Sequence, residues 1–67
     1  MNELDVVELA VDVPEEGVKA GEVGTIVLVH GNPVEAYEVE FVNPDGSTLA
    51  MFALRPEQIR PVAKPAN

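Results

Sequence analysis

His30 is the only histidine of the chain and Ser47 its only serine. A catalytic serine needs a base within hydrogen-bond reach and a third group to orient that base. Ser47 instead follows the turn "NPDG", where a hydroxyl supplies turn polarity. His30 closes the apolar run "EVGTIVLVH" and reads as a hairpin-end residue. As a metal ligand it would need further histidines or thiolates, and the chain has no cysteine. Asp12, Glu15 and Glu16 make an acidic knot beside a glycine. They lack the alternating oxygen ligands and central glycine of a calcium loop, so a solvated acidic loop is expected. No residue is assigned to catalysis, to a cofactor or to a metal, and the chain is expected to be non-enzymatic.

The remaining chemistry is recognition by charge. In "AYEVEFV", Tyr37, Val39 and Phe41 alternate with Glu38 and Glu40, which places the aromatics inward and the carboxylates toward water. Such a face raises the encounter rate and selectivity for a basic partner. Twelve acids stand against four bases, Lys19, Arg55, Arg60 and Lys64, for a net charge of −8. Nucleic-acid binding rests on neutralising phosphates with lysine and arginine, so this balance disfavours it. A proline-rich ligand would need an exposed aromatic groove, which one Tyr, two Phe and no Trp do not furnish. The candidate partner-binding residues are Glu38 and Glu40, the loop residues Glu15 and Glu16, and the hairpin from Asn32 to Glu35. The same acidity also keeps a small protein in solution.

These residues must be held by strands. "DVVELAVDV" alternates, with Val7, Leu9, Val11 and Val13 on one face and Val6, Glu8, Ala10 and Asp12 on the other. "PEEGVKAG" is an irregular loop. "EVGTIVLVH" is apolar on both faces, as expected where one packs on the core and a neighbour covers the other. Gly24 within it predicts a bulge or tight bend. After the turn "GNPVE" come the strand "AYEVEFV", the hairpin turn "NPDG" and the strand "STLAMFAL". "RPEQI" opens with a proline suited to a single 3-10 turn, and "RPV" makes a brief last strand. The expected fold is all-β: a small SH3-like barrel of about five strands with a 3-10 turn before the last. Closure would protect the edges of the sheet, although small barrels seldom close fully and a self-pair through an uncovered strand stays open.

Sixty-seven residues allow one domain, read as residues 1–62 with a frayed tail at 63–67. The start, "MNELDVVELAV", has no basic region and no long apolar run. It reads as neither a signal peptide nor a membrane span, which makes a cytoplasmic protein the expectation.

Nearly the whole chain resembles a family of short bacterial proteins catalogued only as a domain of unknown function. The resemblance runs through Pro14 to Gly17, Gly21 to Val27, "YEVEF" at Tyr37 to Phe41, and Leu54 to Pro61, with Val13 in place of leucine. It implies a non-catalytic, antitoxin-like or accessory partner encoded beside a larger protein. "GEVGTIVLVHG" followed by "YEVEF" is also similar to the SH3-like barrel of the nitrile hydratase β subunit, which implies a structural subunit of an enzyme. The glycines of "AGEVGTIV" resemble a KOW segment, which implies RNA or ribosome contact. Lys19 stands there among Glu15, Glu16 and Glu22, where a KOW segment would carry more bases.

Overall fold

β-Branched and aromatic side chains at every second position favour extended backbone, and their apolar face must be buried. The computed structural model describes residues 1–62. It holds five strands: β1 (Val6–Leu9), β2 (Val23–His30), β3 (Ala36–Val42), β4 (Thr48–Leu54) and β5 (Ile59–Pro61). All pairings are antiparallel and the sheet order is β4-β3-β2-β1-β5. Pro14–Glu16 and Pro56–Gln58 form 3-10 turns, the second directly before β5. The fold is thus the all-β, SH3-like arrangement that the sequence predicts. The tail expected to fray, residues 63–67, lies outside the described residues.

The sheet bends around one cluster formed by Val7, Leu9, Val18, Ile26, Tyr37, Val39, Phe41, Leu54 and Ile59. Phe52 packs against it from β4 and stacks on Phe41, with ring centroids 5.5 Å apart. Alternation in β3 is as read: Tyr37, Val39 and Phe41 are buried, and Glu38 and Glu40 face outward at half burial.

Four expectations are corrected. Val11 is exposed, because β1 stops at Leu9. Beyond that point the Ala10 N–H bonds to Gln58 O, and Val13 bridges locally to Val18, so no ladder carries the alternation further. The bulge of β2 lies between Ile26 and Leu28, where the register with β3 shifts, and not at Gly24. Gly24 is instead a point of close approach: a Cβ there would stand 2.8 Å from both Glu40 O and Val39 Cγ1. Among the described residues nothing covers the second face of β2, and Val23 and Leu28 are exposed on it. Finally, the sheet does not close by pairing β4 to β5, since the two are its opposite edges. The 3-10 turn spans the gap, with the Arg55 N–H donating to Gln58 Oε1 at 2.7 Å.

Candidate functional site

The pleat fixes what stands on the outer face. Register places Thr25 of β2 opposite both Val6 of β1 and Glu40 of β3, and Glu40 in turn opposite Met51 of β4. Glu38 stands between Leu28 and Ala53 in the same way. Both carboxylates are held by neighbours. Glu38 Oε1 lies 3.3 Å from His30 Nε2, and Glu40 Oε2 accepts a hydrogen bond from Thr48 Oγ1 at 2.7 Å. Around them Val6, Val23, Leu28, Val42, Leu49 and Met51 are each between 43% and 56% exposed. The outer face is therefore an apolar surface set with three oriented carboxylates, Glu38, Glu40 and Glu8, the last opposite Val23 and held by Arg60, rather than a solvated acidic face. Of these apolar residues, Val23 and Leu28 escaped the sequence reading, which assigned the second face of β2 to a covering neighbour.

The other predicted contact residues fall at two separate places. Glu15 and Glu16 are exposed on the first 3-10 turn, before the start of β2. Asn32 and Glu35 belong to the turn that follows its end, where Gly31 has φ 89° and the Glu35 N–H donates to His30 O at 2.8 Å. Eight residues of extended chain lie between, roughly 25 Å at about 3.3 Å per residue. The two groups flank β2 at opposite ends of the strand in the chain. The turn at Asn32 to Glu35 adjoins His30 and so Glu38; the Glu15 and Glu16 loop does not.

Several acids are occupied by their own loops. Asp12 Oδ1 accepts the Ala20 N–H at 2.9 Å, and Glu22 Oε2 accepts the Lys19 N–H at 2.6 Å. Asp45 Oδ1 accepts both the Ser47 hydroxyl at 2.6 Å and the Ser47 N–H at 2.9 Å. These bonds, the hydroxyl first, hold the Asp45 carboxyl below its ordinary range. Ser47 is thus a turn residue, as read. His30 and Ser47 flank opposite ends of β3 and are too far apart to act together. Among the described residues no three His, Cys, Asp or Glu side chains gather as metal ligands would, and no helix is long and apolar enough to cross a membrane.

Nor do the described cations form a stripe. Arg60 donates from Nε to Glu8 Oε1 at 3.0 Å across β5 and β1, and Arg55 Nε lies 3.2 Å from Glu57 Oε2. Lys19 stands apart on the acidic loop.

The model of one protein family, described as Domain of unknown function (DUF4926), matches residues 3–61, and the chain belongs to that family. No curated protein and no solved structure matches.

Proposed function

We propose that this chain is a non-enzymatic protein-interaction module that docks through the outer face of β2, β3 and β4. The carrying observation is the exposed apolar set Val6, Val23, Leu28, Val42, Leu49 and Met51 around Glu38 and Glu40. Apolar surface gathered on one face and flanked by polar groups marks a protein-docking surface. The two carboxylates, already oriented by His30 and Thr48, select a partner carrying lysine or arginine at matching positions. Glu35 and Asn32 extend the contact beyond His30. Glu15 and Glu16 steer the encounter from the far end of β2 by long-range attraction alone. The partner is a basic cytoplasmic protein, and an antitoxin-like or accessory role toward it fits a module that carries recognition without chemistry.

Tagged wild-type protein and a Val23→Lys, Val42→Lys variant, expressed in the native host, test this reading. Wild type retains one protein at a fixed ratio, which elutes with salt; the variant, with its core untouched, loses it. Wild type eluting without a partner at low salt would refute the proposal, as would a partner retained equally by both. Salt-sensitive retention of generic RNA in a gel shift would point to the KOW-like alternative.

A further inference from the structure

The two edges of the sheet are treated differently. β5 is three residues long and carries Arg60 and Pro61, a charge and a residue without an N–H. Short length, charge and proline are the devices that keep edge strands from pairing with other chains. β4 has seven residues, "TLAMFAL", with neither charge nor proline. Its one irregularity is the register shift opposite Phe41 and Val42, which leaves Ala50 to Leu54 in regular pairing with β3. Alternate N–H and C=O groups of that stretch point away from β3, with no strand beside them among the described residues. Phe52, at its centre, is half-buried and packs on the core from this edge.

We infer that β4 pairs with β4 of a second copy of this chain, antiparallel about a two-fold axis near Phe52, to make one continuous ten-stranded sheet. Charge selects this occupant. In a molecule of net charge −8, β4 offers a long edge on which two copies meet without opposing like charges. Size selects it too. About Phe52 the axis sets Met51 of each copy against Ala53 of the other, and Ala50 against Leu54, so large faces small on both sides of the sheet. The axis sets the two half-buried Phe52 residues opposite each other. The interface is isologous and closes at two copies, because each copy spends its long edge. It shares Met51 with the proposed docking face but leaves Val6, Val23 and the loop at Glu15 and Glu16 uncovered. The Val23→Lys, Val42→Lys variant, which spares Ala50 to Leu54, should therefore still form the dimer.

The remaining −8 on each copy sets a sign that a basic partner would reverse: added salt screens repulsion and tightens the self-pair. Sedimentation of the purified chain over a range of concentration and salt should show a monomer–dimer equilibrium shifting at least tenfold toward dimer from low to high salt. Amide exchange should show alternate N–H groups of Ala50 to Leu54 slowing as dimer forms. Met51 is exposed, so Met51→Lys and Met51→Glu should each fold, as seen by unchanged circular dichroism, and each sediment as monomer. Their equimolar mixture should regain the dimer mass, because the two position-51 side chains are diagonal neighbours across the axis and then carry opposite charges. A monomer at every concentration and salt would overturn the inference. So would a dimer indifferent to these substitutions, or one whose β4 amides exchange as in the monomer.

Discussion

Gly24 and Leu4 show how far single side chains govern this small sheet. Gly24 is on β2 where the β3 backbone comes closest, and a methyl group would meet Glu40 O and Val39 Cγ1 at 2.8 Å and Phe41 Cδ1 at 3.0 Å. The first of these atoms is backbone and cannot step aside. Gly24→Ala is therefore expected to destabilise by about 1–3 kcal/mol, the usual range for overpacking, read as a lower urea midpoint at unchanged slope. Leu4 has φ 71°, a left-handed backbone, while its side chain is 78% exposed. Its N–H is committed to Ile26 O, so the backbone is held there by β2. Asparagine tolerates that region better than leucine, and Leu4→Asn should stabilise by up to about 1 kcal/mol. Asp45 gives a test by titration. Its lowered pKa means that its bonds to Ser47 stabilise the turn above the unfolded-state pKa, a contribution lost as pH falls through the folded value. Carboxyl NMR should place its midpoint below that of the same residue in Ser47→Ala, and an unchanged midpoint would remove the Ser47 hydroxyl as the main cause.

Strands depend on what their backbones meet, which the residue pattern states only in part. β3 was legible in full because its alternation continues for as long as it has a neighbour on both sides. β1 was read too long: Val11 and Val13 keep the alternation, but the backbone after Leu9 bonds to the second 3-10 turn and within its own loop. The turn "NPDG" was legible from its proline and glycine, and Gly46 indeed has φ 89°. The candidate site was half legible. Glu38 and Glu40 could be set outward from period two alone, but whether anything covers the second face of β2 depends on sheet order, which no local pattern encodes. The pair between Arg60 and Glu8 ties β5 to β1 across exposed surface. Arg60→Ala should then cost less than about 1 kcal/mol, whereas Ile59→Ala, which empties a buried site, should cost about 2–5 kcal/mol; thermal melts separate the two.

The molecule as a whole balances a thin core against its own charge. Stability of about 0.05–0.15 kcal/mol per residue leaves a domain of this length only a few kcal/mol in hand. Phe41→Ala, at about 3–5 kcal/mol, should leave the chain largely unfolded at 37 °C, seen as loss of its β-sheet circular dichroism. Carbon–carbon packing is unaffected by salt, while repulsion among the carboxylates is screened by it, so the folded chain should also melt higher at 0.5 M than at 0.01 M sodium chloride. The pairing of β1 with β5 sets Val7 beside Pro61. A short linker could therefore join Val62 to Asp5, and the chain could be opened between Asp45 and Gly46 instead. Such a circular permutant would begin just before β4 and finish just after β3, turning a local hairpin into the most distant pairing. Its fold should survive, while its refolding slows.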